Sequence, residues 1–173
     1  MKGNKPMKTL FLTSVATLAL VYSTTTMAQE ATMATKLNYA DYKEKWRKLE
    51  SKQIKIPDDP ASSAKDHGVA NYYKTLLKAS EGDVKAFTQF NSLTPFMDGA
   101  AGEGHAEYKW VLLHVAGDET FAKLLAGQSS KVRKAYAELF AVSGGSYVSN
   151  PKPYIKLHFP KTYAILYGGR QIR

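Results

Sequence analysis

Residues 104–116, which read GHAEYKWVLLHVA, decide the fold, because they predict a helix with apolar side chains on nearly all of its sides. Such a helix is expected at the centre of a core rather than at its surface. Three glycines lead into this stretch, at positions 99, 102 and 104. A glycine inside a helix costs about 1 kcal/mol, so we expect a broken helix or a loop over 96–103.

Amphipathic helices are predicted on the N-terminal side of this central helix. Apolar residues at spacings of three and four predict one helix over 39–52 and another over 66–80. Asp83 is a good N-cap for a third helix, which Pro95 closes. The segment 54–65 contains two prolines and is predicted as a connection.

Two more helices are predicted directly after the central one. Asp118 is the expected N-cap of a short helix that Gly127 ends. Ser129 or Ser130 is the expected N-cap of the next helix, and two glycines at 144–145 stop it.

The C-terminal segment combines a strand-like pattern with a helix signal. Asn150, Pro151 and Pro153 argue against a regular helix at that point. Apolar and polar residues then alternate over 155–159, which predicts an extended piece. A last helix is predicted from Pro160, since proline is favoured at the first helical position.

The pattern as a whole predicts an all-α fold class. We expect a compact single domain over 38–173, made of six or seven short helices arranged as helical hairpins. Two Gly-Asp pairs, at 82–83 and 117–118, lie one helical-repeat length apart, which leaves a HEAT-like stack of helix pairs as the alternative. Two weak copies are fewer than the roughly three repeats that a solenoid needs, so the compact bundle is favoured.

The N-terminus has the layout of a secretory signal peptide. Three lysines within the first eight residues form a positive n-region, residues 10–21 form an apolar run, and 26–28 supply small residues for cleavage. The apolar run is short for a transmembrane helix, which needs roughly 20 residues. We therefore expect residues 1–28 to be removed and residues 29–37 to form a flexible mature N-terminus.

Two absences in the sequence indicate the compartment. The chain contains no cysteine, although small secreted animal domains are usually stapled by disulfides. It also contains no N-x-Ser/Thr glycosylation site. Both absences favour a bacterial export product that is periplasmic or secreted. We expect no membrane-spanning segment in the mature chain.

The charge is strongly positive and unevenly distributed. The chain carries 24 Lys and Arg against 15 Asp and Glu, for a net charge of +9, and Glu138 is the last acidic residue. A surface of one sign attracts partners of the other sign. In an exported protein we expect an acidic protein partner in the envelope, and no nucleic acid.

Aromatic and basic side chains interleave in the C-terminal segment. Tyrosine and arginine are over-represented in protein interfaces, so this segment is the predicted partner-binding surface. The predicted partner-binding residues are Lys152, Tyr154, Lys156, His158, Lys161, Tyr163, Tyr167 and Arg170.

A carboxylate–histidine group provides the alternative candidate site. Glu103 and Glu107 are four residues apart and share one face of a helix, whereas His105 points elsewhere. A carboxylate of this group could act as a general acid in catalysis. No two histidines have the spacing at which one helix binds zinc, so neither a metal nor a cofactor is predicted.

Three hypotheses of function follow from these observations. The preferred one is an exported bacterial envelope protein that binds another protein without catalysis, with an immunity or inhibitor protein against a toxin or cell-wall hydrolase as a special case. The second is a cell-wall-active hydrolase that uses Glu103 or Glu107. The third is a structural or stress protein whose binding to anionic envelope surfaces weakens steeply with salt.

Overall fold

Residues 39–51, 60–142, 148 and 150–168 are described by a computed structural model. Within these ranges the chain forms α-helices joined by short turns and no strand, so the all-α prediction is confirmed for this part of the chain. The predicted signal peptide, the flexible segment 29–37 and Arg170 lie outside the described residues. The helices are α1 Tyr39–Ser51, α2 Pro60–Asp66, α3 Tyr72–Ser80, α4 Val84–Ser92, α5 Gly99–Ala126, α6 Ser130–Val142, α7 Pro151–His158 and α8 Pro160–Tyr167.

These eight α-helices exceed the six or seven predicted, and α2 is one of the differences. Residues 60–65 were predicted as part of a connection, but they form a helix that begins at Pro60. Proline is tolerated in the first helical turn, where its missing N–H has no partner to lose. Pro60 and Ala64 are buried, so contact with the core stabilises a helix that the local sequence does not favour. The arrangement of the helices as hairpins or as a HEAT-like stack stays a prediction.

Side-chain caps set the starts of α3, α4 and α6. Asn71 Oδ1 accepts a hydrogen bond from the Lys74 amide at 2.9 Å, so α3 starts at Tyr72 and the predicted start at residue 66 is wrong. Asp83 Oδ1 accepts from the Ala86 amide at 3.0 Å, as predicted. Ser129 Oγ accepts from the Val132 amide at 3.3 Å and confirms the predicted start of α6.

Helix α5 occupies the centre of this arrangement and contacts α1, α2, α3, α6 and α8. Its residues Trp110, Leu112 and Leu113 are buried, which confirms the core position predicted for 104–116. Gly117 interrupts the helix with φ 74° and ψ 166°, a backbone conformation open essentially only to glycine. The break separates the segment 99–116 from the segment 118–126. It confirms the helix boundary that the sequence predicts at Gly117.

The loop predicted over 96–103 is wrong from residue 99 onward, because α5 already begins at Gly99. The glycines serve close packing instead. A Cβ on Gly104 would lie 3.0 Å from Cγ of Pro60, and one on Gly102 would lie 3.0 Å from the Met97 carbonyl oxygen. At Gly104 the cost of glycine in this helix is therefore offset by the close approach of α2. A short 3₁₀ turn, Thr94–Phe96, precedes the helix.

The C-terminal extended piece is also wrong, because residues 151–158 form helix α7. Pro151 and Pro153 fall in its first turn, where backbone N–H groups have no intrahelical acceptor. Tyr154 and Ile155 are buried, whereas Leu157 is 59% exposed, so the apolar residues follow a helical pattern rather than a period of two. Helix α8 begins at Pro160 as predicted.

The two tryptophans pack in different parts of the core. Trp46 of α1 is fully buried and contacts Tyr108 of α5 with ring centroids 6.3 Å apart. Trp110 contacts Phe140 of α6, with ring centroids 4.5 Å apart. Among the described residues no helix is long and apolar enough to cross a lipid bilayer.

Candidate functional site

Four of the predicted partner-binding residues converge on one surface, formed by α7 and α8. The Lys152 ammonium lies 4.8 Å from the ring centroid of Tyr167, and that of Lys156 lies 5.9 Å from the ring of Tyr163. The two tyrosine rings are 5.0 Å apart. The two lysines are four residues apart on α7, and the two tyrosines are four residues apart on α8, so the lysines share one helix face and the tyrosines share another. These two faces lie against each other. We call Lys152, Lys156, Tyr163 and Tyr167 the Lys–Tyr face.

The positive charge of the Lys–Tyr face is exposed. Lys152 and Lys156 both lie at the surface, and within the described ranges neither forms an ion pair. The sequence beyond Glu138 provides no acidic residue that could compensate them. Contact with a tyrosine ring attracts an ammonium group but does not neutralise its charge. This surface therefore retains two cations beside aromatic rings.

Lys161 was predicted to belong to the same surface, but its charge is already compensated. Its ammonium group pairs with the Glu119 carboxylate, which also accepts from Lys123 at 3.1 Å. Hydrogen bonds from these two lysines lower the pKa of Glu119, and the bond to Glu119 raises the pKa of Lys161. Lys161 links α8 to α5 rather than presenting an uncompensated cation.

Tyr154 and His158 lie apart from the four residues of the face and belong to a packing contact. The His114 Nδ1–H donates to the Trp110 carbonyl at 2.8 Å, which leaves Nε2 to accept from the Tyr154 hydroxyl at 3.2 Å. The ring of exposed His158 lies 4.4 Å from that of Tyr154. Burial lowers the pKa of His114 to about 4, so the imidazole is neutral at pH 7. Tyr154 is thus a core residue, and its hydrogen bond with His114 links α7 to α5.

The predicted carboxylate–histidine group does not come together as one site. Glu103 and Glu107 are exposed, whereas His105 is only 2% exposed. His105 enters the core and contacts Phe90 with ring centroids 4.4 Å apart. No group of three metal-ligating side chains occurs in the part of the chain that the structure describes.

A polar network that is buried except at Thr94 surrounds His105 instead. His105 Nδ1 lies 2.9 Å from the Tyr72 hydroxyl, and Nε2 lies 3.2 Å from Thr94 Oγ1. The Lys109 ammonium donates to the same Thr94 oxygen at 2.9 Å. Three elements, α3, the 3₁₀ turn and α5, supply these four residues. We call Tyr72, Thr94, His105 and Lys109 the Thr94 network.

Burial dominates the electrostatics of this network. It lowers the pKa of Lys109 to about 8, and Lys109 is only 6% exposed. Burial, together with the charge of Lys109, lowers the pKa of His105 to about 3. The Lys109 ammonium also lies 5.4 Å from the Tyr136 ring. Sequence reasoning missed Lys109, although its position four residues after His105 within an apolar stretch is a usable signal.

Known proteins offer no match to this chain, whether as a family model, a curated protein or a solved structure.

Proposed function

We propose that this protein is an exported bacterial envelope protein that binds an acidic protein partner through the Lys–Tyr face, and that this binding involves no catalysis. The observation that carries the proposal is the pairing of Lys152 with Tyr167 and of Lys156 with Tyr163 on an exposed surface. Aromatic rings beside cations provide both apolar contact area and charge for an interface.

The charge distribution supports an acidic partner in particular. Lys152 and Lys156 lie one helical turn apart on α7, and no acidic residue follows Glu138 in the chain. A partner surface with carboxylates at matching spacing would replace water around two cations that have no ion pair among the described residues. Charge complementarity of this kind raises the association rate and selects the partner. An immunity or inhibitor protein, which covers the acidic cleft of a toxin or wall hydrolase, is a special case of this proposal.

The test is an affinity capture from bacterial envelope extract, followed by a direct binding measurement with the purified partner. The variant K152E/K156E reverses both charges of the face. The matched control, K78E/K85E, reverses two exposed lysines on α3 and α4, so the change in net charge is the same. We expect one stoichiometric partner that binds at least about a hundredfold more weakly to K152E/K156E and normally to the control.

Three outcomes would contradict the proposal. Equal weakening by both variants would indicate general charge attraction, as the anionic-surface hypothesis predicts, and that binding would fall steeply with salt. Binding unaffected by either variant would place the interface elsewhere. The absence of any partner, under conditions that preserve other envelope complexes, would remove the protein-binding hypothesis.

A further inference from the structure

The Thr94 network places an exposed hydroxyl group against two buried nitrogen bases. Thr94 lies at the surface, in the short 3₁₀ turn between α4 and α5. Its Oγ1 is 2.9 Å from Lys109 Nζ and 3.2 Å from His105 Nε2, and both of these side chains are buried. A hydroxyl group within hydrogen-bond reach of a base, with further groups that hold the base in place, is the arrangement of an activated nucleophile.

The four side chains can form one continuous chain of hydrogen bonds whether Lys109 is charged or neutral. When Lys109 is charged, it donates to Thr94, the Thr94 hydroxyl donates to His105 Nε2, and His105 Nδ1–H donates to Tyr72. When Lys109 is neutral, its lone pair accepts the Thr94 hydroxyl proton, His105 Nε2–H donates to Thr94 Oγ1, and Tyr72 donates to Nδ1. Deprotonation of Lys109 therefore reverses the direction of donation along this chain and keeps its three hydrogen bonds.

We propose that Thr94 Oγ1 is the nucleophile of an acyl-transfer site, with Lys109 Nζ as its general base and His105 hydrogen-bonded to the same oxygen. Serine–lysine pairs perform this reaction on other folds. The base is matched to neutral and mildly alkaline pH, because burial lowers the pKa of Lys109 to about 8. His105 is too weak a base to compete, and its neutral Nε2–H is suited to stabilise negative charge that develops on Oγ1.

The chemistry balances without a metal or cofactor. Thr94 Oγ1 attacks the carbonyl carbon of an ester and forms the Oγ1–C bond, while its proton passes to Lys109 Nζ. The bond between the carbonyl carbon and the leaving oxygen breaks, and that oxygen takes the proton from Lys109. Water then attacks the acyl carbon and gives one proton to Lys109, and the Oγ1–C bond breaks to release the acid. That proton returns to Thr94 Oγ1 and restores the starting state.

An aromatic platform in the same turn indicates the class of ester. Phe96 is 52% exposed, and its ring stacks on that of exposed His67 with centroids 4.3 Å apart and planes at 15°. An exposed pair of stacked rings two residues from Thr94 can hold an apolar group beside the nucleophile. The substrate class is therefore a small ester with an apolar acyl or alkyl group. This site lies on elements other than α7 and α8, so it is independent of the Lys–Tyr face.

The test uses a fluorophosphonate carrying an alkyl chain, which reacts with activated hydroxyl groups and forms a stable phosphonyl ester. The protein is incubated with the probe, and peptide mass mapping locates the adduct. We expect one adduct per chain, on Thr94, at a rate that rises with pH and levels off above about pH 8. T94S should retain labelling, whereas T94V, which keeps the shape of the side chain, should lose it.

The variant K109M separates a general base from a merely structural lysine. We expect it to slow labelling of Thr94 about a hundredfold, because general-base catalysis contributes factors of that order. A circular dichroism spectrum and thermal melt confirm that each variant is folded. No adduct on Thr94 in the wild-type protein would overturn the proposal without recourse to any variant. Labelling of folded K109M at the wild-type rate would overturn the role of Lys109.

Discussion

The carboxylate of Asp118 holds the start of helix α8, because its Oδ1 accepts a hydrogen bond from the backbone N–H of Thr162 at 2.8 Å. Its Oδ2 accepts from the backbone N–H of Lys161 at 2.9 Å. Asp118 was predicted to cap the helix that follows it in sequence, and that prediction is wrong. The residue instead satisfies two N-terminal amides of a helix more than 40 residues later, where a negative charge is also favoured by the helix dipole.

We expect D118A to lower the free energy of unfolding by about 1–2 kcal/mol, because it leaves two amides of α8 without their acceptor. Chemical denaturation of the variant and of wild type measures the difference. D98A is the control, since Asp98 is exposed and its side chain forms no cap hydrogen bond with α5. Equal effects of the two substitutions would mean that the loss of charge, rather than the loss of the cap, is responsible.

We expect G117A to destabilise the protein by about 1–3 kcal/mol, because a side chain is strained at φ 74° and ψ 166°. A Cβ at this position would meet no atom within 4 Å, so the cost is one of backbone conformation and not of collision. G127A provides the comparison, since Gly127 has φ −76° and an added Cβ would make ordinary contacts. A thermal melt of G117A that superimposes on that of G127A would contradict the prediction.

Lys109 should make stability rise with pH in the alkaline range. Its pKa is about 8 in the folded protein against 10.5 in the unfolded chain, so the unfolded state binds more protons between these values. Stability then increases as pH rises from about 8 to 10.5, by roughly 3 kcal/mol in total. Urea unfolding of wild type and K109M at pH 7.5 and pH 10 isolates this contribution, because the other groups titrate in both proteins.

The burial of Lys109 also determines whether K109M is more or less stable than wild type. Below pH 8 the wild type keeps a charged amine in its core, and methionine removes that cost while filling a similar volume. We therefore expect K109M to be the more stable protein at pH 7.5 and the advantage to shrink at pH 10. An advantage that does not change with pH would show that Lys109 stays charged throughout.

His114 should make the protein sensitive to acid. Its pKa is about 4 when folded against 6.5 when unfolded, so the unfolded state gains protons first as pH falls below 6.5. Stability is lost between pH 6.5 and about 4, by roughly 3 kcal/mol from this residue. Denaturation at pH 7.5 and pH 4.5 should show a smaller loss for H114Q than for wild type. A loss for H114Q as large as that of wild type would contradict the prediction.

Local signals in the sequence predict the elements whose structure depends on neighbouring residues. Asp83 and Ser129 are predicted as caps and act as caps, because a cap contacts an amide only three residues away. Helix α7 is missed, because its two prolines lie in the one turn that tolerates them and its helical pattern of burial depends on contact with α6 and α8.

The two candidate sites also differ in how far the sequence predicts them. The Lys–Tyr face is partly predictable, since Lys152 and Lys156 share a helix face as soon as α7 is known to be a helix. The Thr94 network is not, because it requires the 3₁₀ turn to pack on α5 and bring Thr94 against Lys109, 15 residues later. The partner of Asp118 is hidden for the same reason, since no local rule identifies an amide 43 or 44 residues away.

The placement of the two tryptophans provides intrinsic fluorescence probes for the unfolding of two different helix contacts. Trp46 reports the contact of α1 with Tyr108, and Trp110 reports the contact of α5 with Phe140 of α6. Both indoles are buried, so each one shifts its fluorescence to longer wavelength when water reaches it. The single-tryptophan variants W46F and W110F would thus show whether α1 and α6 leave α5 at the same denaturant concentration, as one cooperative unit, or in succession.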